Sequence, residues 1–325
     1  MRIVIVSPAL PGANNGNART ASRWRRMLAP LGKVRLVQRW PDGASAEGDE
    51  VMLALHARRS AESIAAWHSL HGARGLAVVL TGTDLHCDLA VDEATRRSLG
   101  FAQALVTLHQ RGVRCLPAIH RKRARILLQS ATSRPALAKS PRLLRAVMVG
   151  HLRDVKSPAT LFEAARLLAA RTDIRIDHIG SALDPELGAS ARSTMAGCPG
   201  YRWLGGLPHA DVRRRTQSAH VLVHASKVEG GAHAVIEAIV SGTPVLASRI
   251  DGNLGILGAG YPGTFPVGDP RALAKLLVRC RETQADPDGL LARLREAISR
   301  RALLFEPDRE RRALRALVRE LAAPP

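Results

Sequence analysis

Short apolar runs recur along the whole chain, and longer stretches with a helical period separate most of them. Each run is short enough for a buried strand, so the pattern predicts strands that alternate with helices. Such alternation indicates parallel sheets with right-handed crossovers. The predicted strands are 2–8, 34–38, 51–57, 76–82, 104–109 and 125–130, then 145–151, 174–180, 201–205, 220–225 and 243–248.

Residues 132–143 interrupt this alternation with two prolines and no clear period, so we place an interdomain linker there. The chain has 325 residues, and single hydrophobic cores stop growing at roughly 250 to 300 residues. We therefore predict an α/β protein of two doubly wound domains, 1–138 and 139–305, that bind ligands at the carboxyl ends of their strands, facing the interdomain cleft. The tail 306–325 is expected to form a helix that packs back across the domains.

The composition is that of an ordinary globular protein, with 46% hydrophobic and 23% charged residues. No apolar run approaches the roughly 18 residues of a membrane span, so no stable membrane insertion is expected. The apolar N-terminus is interpreted as a first strand rather than a signal peptide, which predicts a cytoplasmic location. The four cysteines lie far apart, without metal-ligand spacing, and are expected to be reduced thiols: Cys87, Cys115, Cys198 and Cys280.

The net charge of +20 is the unusual feature of the composition, and only six of the 48 basic residues are lysines. A strongly basic chain favours anionic partners, namely nucleic acid, anionic small molecules or a membrane surface. The aromatic content of 3% argues against single-stranded nucleic acid, because such proteins stack bases on aromatic side chains. Genome-wide arginine usage is the alternative explanation of the charge.

The stretch "HASKVEGGAHAVIEAIVSGTPVLAS" (224–248) contains two glutamates, Glu229 and Glu237, on either side of a predicted helix start near Ala232. The unpaired amides of residues 231–234 at such a helix start form an anion site. Carboxylates would repel that anion, so their useful role is to accept hydrogen bonds from hydroxyls. This pattern predicts a bound diphosphate with a sugar at one end and a ribose at the other.

The E-x7-E spacing, continued by "EAIVSGTPVLAS", resembles the donor-site motif of retaining glycosyltransferases of the GT-B fold. This resemblance implies a GT-B architecture and a nucleotide-sugar substrate. It also implies that Glu229 meets the donor sugar during catalysis and that Glu237 binds the ribose. The donor-binding residues implied by the resemblance are Gly150, Gly230, Gly231, Ala232, His233, Ala234 and Glu237.

The segment "VMVGHLRDVKSPATLFEAARLL" resembles the part of the same family that follows the first strand of the donor domain. Gly150 and Lys156 fit that pattern, but His151 stands where the family has an arginine. Two cations there normally pair with the donor diphosphate and stabilise the leaving nucleotide. We expect Lys156 and Arg153 to be the catalytic cations, with no metal required; a solvated Arg153 is the alternative.

The N-terminal half has neither a Walker loop nor a GxGxxG fingerprint. Its Gly/Asn loop before the first helix still suits an anion, although a plain connection is the alternative. His56 lies at the end of the predicted strand 51–57, and Thr81, Thr83 and Asp84 lie at or just after the end of the predicted strand 76–82. His56 could instead be a structural histidine, and Asp84 could cap a helix. The expected acceptor-binding residues are Gly16, Asn17, Arg19, His56, Thr81, Thr83 and Asp84.

Three segments spread over both halves resemble one branch of the family, the selenosugar synthases of selenoneine biosynthesis. They are "PGANNGNARTASRW", "LTGTDLHCDL" and "EGGAHAVIEAIVSGTPVLASRIDGNLGILGAGYPGTFPVGDP". This resemblance implies transfer of N-acetylglucosamine from UDP-GlcNAc to selenophosphate. Arginines and helix-end amides suit a small, multiply charged anion, and an anionic selenium needs no general base.

Three alternatives remain open. A GT-B glycosyltransferase with a hydroxyl acceptor, a sugar or a lipid, would have the same donor motif, and its basic face could attach to a membrane surface. A nucleotide-sugar 2-epimerase would share the architecture and consume UDP-GlcNAc without an acceptor. A basic nucleic-acid-binding protein is suggested by charge alone and predicts steeply salt-dependent binding.

Overall fold

A computed structural model of the chain describes residues 1–10, 12, 16–43 and 46–323. The chain forms two compact units, the first comprising Met1–Gln129 with Pro307–Pro325 and the second Ser130–Glu306. Residues 130–138 therefore belong to the second unit, whereas the sequence suggested a boundary at 138/139. Backbone contacts explain the difference, because Leu137 donates a hydrogen bond to the carbonyl of Gln217 at 3.3 Å.

The first unit is built on a six-stranded parallel sheet in the order β2-β1-β3-β4-β5-β6. Successive strand residues point to opposite faces, and helices cover both, so the central strands β3 and β4 are apolar and buried throughout, whereas the edge strand β2 includes Lys33 and Arg35. The chain passes from β1 to β2 on one side and returns to β3 on the other, which makes a topological switch point. The strands are β1 (Arg2–Val6), β2 (Lys33–Val37), β3 (Val51–Leu55), β4 (Leu76–Leu80), β5 (Ala104–Thr107) and β6 (Ala124–Ile126).

Helices pack on both faces of this first sheet. Trp24 packs with Ile3 and Ile5 on one face, and Trp40 and Trp67 pack on the opposite face. The helices are α1 (Gly16–Leu28), α2 (Ala61–His71), α3 (Leu89–Val91), α4 (Glu93–Phe101) and α5 (Gly112–Cys115).

The second unit has another six-stranded parallel sheet, in the order β12-β11-β10-β7-β8-β9. Its switch point lies between β7 and β10, which are neighbours in space although other strands separate them along the chain. The strands are β7 (Leu144–Val149), β8 (Ile174–Ile179), β9 (Tyr201–Trp203), β10 (Val221–His224), β11 (Val245–Ser248) and β12 (Thr264–Phe265). The helices are α6 (Pro158–Leu167), α7 (Pro185–Gly197), α8 (His209–Ser218), α9 (His233–Ile239), α10 (Asp251–Leu257), α11 (Pro270–Glu282) and α12 (Leu290–Ala302).

These elements confirm the α/β prediction of two doubly wound, parallel sheets. Every predicted strand overlaps an observed one. The two-residue strand β12 was not predicted, because it is too short to show an alternating pattern.

The last helix, α13 (Pro307–Ala322), packs on the first unit. Its apolar stripe joins the core cluster that contains Trp24. The fully buried carboxylate of Glu310 accepts two hydrogen bonds from Arg23, both at 2.9 Å, and one from Trp24 Nε1 at 2.7 Å. A bidentate arginine neutralises this buried carboxylate, and together with the indole it fixes α13 to α1.

We expect Glu310→Ala to destabilise the first unit by about 3 to 5 kcal/mol, because it leaves the largely buried Arg23 without its counter-charge. The matched control on the same helix is Glu320→Ala, which removes the half-exposed pair with Arg125 and should cost about 1 kcal/mol or less. Denaturant unfolding followed by tryptophan fluorescence reports mainly on the first unit, which holds three of the four tryptophans. Equal effects of the two substitutions would contradict the role given to Glu310.

Candidate functional site

The loop that carries the first glutamate follows β10 in the second unit. Two contacts attach it to the segment after β7: Lys227 donates its amide to the carbonyl of Val155 at 2.9 Å and its Nζ to Asp154 at 2.6 Å. The loop ends at Ala232, which has a φ of 27°. Residues other than glycine rarely adopt this backbone conformation. The helix α9 then begins at His233, close to the predicted start. Strain of this kind is typical of functional loops.

Glu229 is buried, and both of its polar contacts converge on one oxygen. Lys156 Nζ donates to Oε1 at 2.5 Å, and His224 Nε2 lies 3.0 Å from the same atom. Burial alone would raise the pKa of Glu229, but Lys156 and His224 outweigh burial and lower that pKa well below its usual range. No group in the described part of the chain donates to Oε2, which is not sealed from solvent.

Glu237 lies on α9, and its polar partners also converge on one carboxylate oxygen. Its Oε1 accepts a hydrogen bond from His209 Nε2 at 2.6 Å, with His233 Nδ1 at 3.3 Å and Arg213 Nη1 at 3.9 Å. Burial would raise the pKa of Glu237, and the two histidines outweigh it and keep that pKa well below its usual range. Among the described residues, none donates to Oε2. Both glutamates are thus anionic at neutral pH, each with one oxygen open.

Three consecutive backbone amides lie between the two carboxylates. Gly230, Gly231 and Ala232 are all buried, and none of their N–H groups donates to an acceptor in residues 1–10, 12, 16–43 or 46–323. Buried N–H groups are almost always paired in native proteins, so these amides are suited to hold a ligand anion. The α9 helix itself is only one to two turns long and adds little dipole.

The predicted cation segment after β7 lies beside this loop. Gly150 fits tightly against Gly180, where an added Cβ would stand 1.9 Å from the Gly150 carbonyl oxygen. His151, which takes the place of the expected arginine, accepts a hydrogen bond from the Ser181 amide through Nδ1 at 3.1 Å. Arg153 is exposed and forms no ion pair with a described residue. The structure therefore brings Lys156, but not Arg153, to the carboxylate of Glu229.

Sequence reasoning missed three contacts of the two glutamates. His224 is the last residue of β10, His209 is the first of α8, and Arg213 lies one turn later on α8. The signal available was weak, since a lone histidine or arginine at a strand or helix end is usually structural. Only the packing of α8 beside α9 shows that His209 and Arg213 face Glu237.

Four candidate residues of the first unit follow the carboxyl ends of β3 and β4, namely His56, Thr81, Thr83 and Asp84. The Asp84 carboxylate is fully buried and accepts hydrogen bonds from the amides of Ala57, Thr81, Gly82 and Leu85, at 2.8 to 3.2 Å. It therefore holds the two strand-end loops together, which is close to the capping alternative. Thr81 takes part in this contact through its backbone amide, which donates to the Asp84 carboxylate.

His56 follows β3 with a φ of 73° and is 4% exposed. Its Nδ1 accepts from the Arg59 amide at 3.4 Å, so the neutral ring carries its proton on Nε2 and donates to Thr83 Oγ1 at 3.1 Å. Burial lowers the pKa of His56 below its usual value. Gly16, Asn17 and Arg19 lie in the first turns of α1, and the loop residues 11 and 13–15 lie outside the described part of the chain.

The second-unit site combines Lys156 and Arg213 with three unpaired amides and two carboxylates that have an open oxygen each. Such a set can hold an anion centrally and accept hydroxyl hydrogens on both sides. In the part of the chain that the structure describes, no three His, Cys, Asp or Glu side chains converge as metal ligands would. No described helix combines the length and apolarity required to cross a bilayer.

The sequence matches the family model described as glycosyl transferases group 1 over residues 129–301, which is more than half of the chain. The matched region includes both glutamates and Lys156.

Solved structures of similar fold include a sucrose-phosphate synthase from Thermosynechococcus elongatus, with a TM-score of 0.79, 16% identity and coverage of 98% of both chains. Anabaena HepE in complex with UDP and glucose has a TM-score of 0.72 and 14% identity, over 98% of this chain and 100% of that one. A variant of S. aureus TarM, in complex with Fondaparinux, alpha-GlcNAc-glycerol and UDP, has a TM-score of 0.64 and 11% identity over 82% of this chain. The chain spans about half of TarM, 55% of its length.

We expect Gly252→Ala to displace the Glu229 loop, because an added Cβ would stand 2.4 Å from the Glu229 carbonyl oxygen and 2.8 Å from its Cβ. The free energy of unfolding should fall by about 1 to 3 kcal/mol, although alanine is the better helix former. The control is Gly260→Ala, where a Cβ meets nothing within 4 Å. Thermal unfolding followed by circular dichroism compares the two; an unchanged midpoint in Gly252→Ala would show that the loop adapts freely.

Proposed function

The chain belongs to the group 1 glycosyl transferases and is therefore a glycosyltransferase of the GT-B fold, and from this premise we propose that it transfers N-acetylglucosamine from UDP-GlcNAc to selenophosphate. The observation that carries the donor part of this proposal is the pair of buried glutamates, each with one oxygen held and one open, on either side of three unpaired amides. The acceptor part is supported by the resemblance of the sequence to selenosugar synthases.

In the proposed complex, the diphosphate of UDP-GlcNAc lies against the amides of Gly230, Gly231 and Ala232. The open oxygen of Glu237 accepts a ribose hydroxyl, and that of Glu229 accepts a hydroxyl of the sugar. HepE shares the fold, and its solved structure contains UDP. This similarity supports a uridine nucleotide at the proposed donor site. His233 and Ala234 begin the helix beside this anion, and the Lys156 side chain passes beside Gly150 at the strand end.

Lys156 has two possible partners in this scheme. Without nucleotide it bonds Glu229, and the diphosphate then competes for the same ammonium group. Charge on the diphosphate grows as the bond to the sugar breaks, so the lysine stabilises the transition state more than the ground state. Arg153, exposed on the same segment, is the second cation that we propose for the leaving UDP.

The described acceptor-side residues of the first unit favour an anionic nucleophile. The Asp84 carboxylate is saturated by backbone amides, and the ring nitrogens of His56 are engaged, so neither is a free general base. Arg59, three residues after His56, is exposed and has no ion-pair partner among the described residues. We propose that this cation, with Gly16, Asn17, Arg19 and Thr83, attracts the acceptor.

The proposed reaction has two bond exchanges. The selenium lone pair of selenophosphate attacks C1 of the sugar, the C1–O bond to the diphosphate breaks, and UDP leaves with that electron pair. Water then attacks phosphorus and breaks the Se–P bond, which gives inorganic phosphate and the 1-seleno sugar. No general base acts in the first exchange, because the selenium is already anionic.

The test is UDP release from UDP-GlcNAc by the purified protein, under anaerobic conditions, with selenophosphate, inorganic phosphate or no acceptor, followed by mass analysis. We expect release that depends on selenophosphate and a product that contains selenium and hexosamine. Release without any acceptor would indicate a 2-epimerase or hydrolase. Release only with sugar or lipid hydroxyls would replace selenophosphate with a conventional acceptor and leave the donor assignment intact.

The two glutamates should have different effects on binding and transfer. We expect Glu237→Ala to weaken UDP binding at least tenfold, since a hydrogen bond to a charged group contributes about 1.5 to 3 kcal/mol. Glu229→Ala should leave the UDP dissociation constant within about threefold and lower sugar transfer at least a hundredfold, as expected of a group that acts at the reacting sugar. Calorimetry with UDP and a steady-state assay measure the two effects.

The control for both variants is Glu163→Ala, an exposed glutamate on α6 of the same unit. UDP affinity that is unchanged in Glu237→Ala would refute the ribose assignment.

A further inference from the structure

His209 donates the shortest hydrogen bond that either glutamate receives from a histidine, at 2.6 Å to Glu237 Oε1. We infer that His209 is a positioning residue for nucleotide binding: it fixes the carboxylate plane of Glu237 so that Oε2 meets a ribose hydroxyl. This inference rests on the proposed function, because it assumes that Glu237 binds the ribose of UDP.

The other two groups near Glu237, Arg213 and His233, do not set this plane. Arg213 directs its Nη2 to the Thr132 carbonyl at 2.8 Å and to Ser241 Oγ at 3.2 Å, and its Nη1 is 3.9 Å from Oε1, beyond hydrogen-bond distance. His233 has its Nε2 against the Ser130 carbonyl at 3.1 Å, and its Nδ1, although 3.3 Å from Oε1, does not form a hydrogen bond with it. Arg213 therefore supplies positive charge, whereas His209 supplies a directed hydrogen bond.

A directed bond matters because the terminal torsion of a glutamate is soft and roughly two-fold. A carboxylate that turns freely must be ordered when a ligand binds, and that ordering weakens affinity. His209 is the first residue of α8, whose next turn is held by the buried Val212 and Arg213. The imidazole is therefore carried by a fixed backbone, and the carboxylate is oriented before the nucleotide arrives.

His209 does not have the environment of a structural histidine. Its side chain is 45% exposed, whereas that of Glu237 is 5% exposed. Loss of the imidazole would leave Arg213 in place, so Glu237 would keep a compensating charge nearby. A variant should therefore fold, and the defect should be confined to nucleotide binding.

The test compares His209→Leu and His209→Gln with the wild-type protein by calorimetry, using UDP, 2′-deoxy-UDP and 3′-deoxy-UDP as probes. In the wild type, the deoxy-UDP that lacks the hydroxyl bound by Glu237 should bind about tenfold more weakly than UDP, as for a hydrogen bond to a charged group. His209→Leu should bind UDP about tenfold more weakly and lose most of its discrimination against that deoxy-UDP. His209→Gln should recover most of both, because its amide donates a similar N–H.

The matched control is Arg214→Gln, an exposed residue on the same helix that removes a positive charge without contacting Glu237. A control with the same loss of discrimination would mean that charge, not positioning, is responsible. Full discrimination retained in His209→Leu would overturn the inference and leave the proposed function standing. A wild-type protein that does not bind UDP would instead refute the proposed function, and the inference with it.

Discussion

The order of strands in the second sheet is the constraint on which the donor site depends. β7 and β10 lie side by side although they are distant in the chain, so the segments that follow them meet at the carboxyl edge of the sheet. Lys156 comes from one segment and Glu229 from the other, and their ion pair connects the two segments at the switch point. Ligand sites in open parallel sheets form at such points, because the two loops diverge and leave a crevice.

Compensated charge is the second organising feature of this site. Two anionic carboxylates, Glu229 and Glu237, are buried in this unit, and each would be costly without its polar partners. Lys156 and His224 serve Glu229, while His209, His233 and Arg213 serve Glu237. In each case the nearest partner atoms lie on the Oε1 side, which leaves Oε2 of each glutamate for a ligand. A nucleotide-sugar would therefore replace or share internal partners instead of meeting bare charges.

Strained backbone positions lie in the same loops as the residues with proposed roles in binding and catalysis. Among the described residues, the non-glycine positions with positive φ are His56, Ser157 and Ala232. Each follows the carboxyl end of a strand: His56 after β3, Ser157 directly after Lys156, and Ala232 at the end of the Glu229 loop. Strained positions persist only where the surrounding structure holds them, and they cluster at ligand sites. The regular parts of both sheets have no need of such conformations.

The sequence by itself determined the α/β class and every described strand except β12, and it singled out Glu229, Glu237 and Lys156, because period, turn residues and motif spacing are local properties. It did not determine which distant side chains meet these residues. His209, Arg213 and His224 became part of the site only through the packing of α8 and the end of β10 against the Glu229–Glu237 segment. Asp84 was ambiguous in sequence, and only the structure showed its carboxylate saturated by four backbone amides. Contacts of this kind depend on strand order and helix packing, which no local pattern encodes.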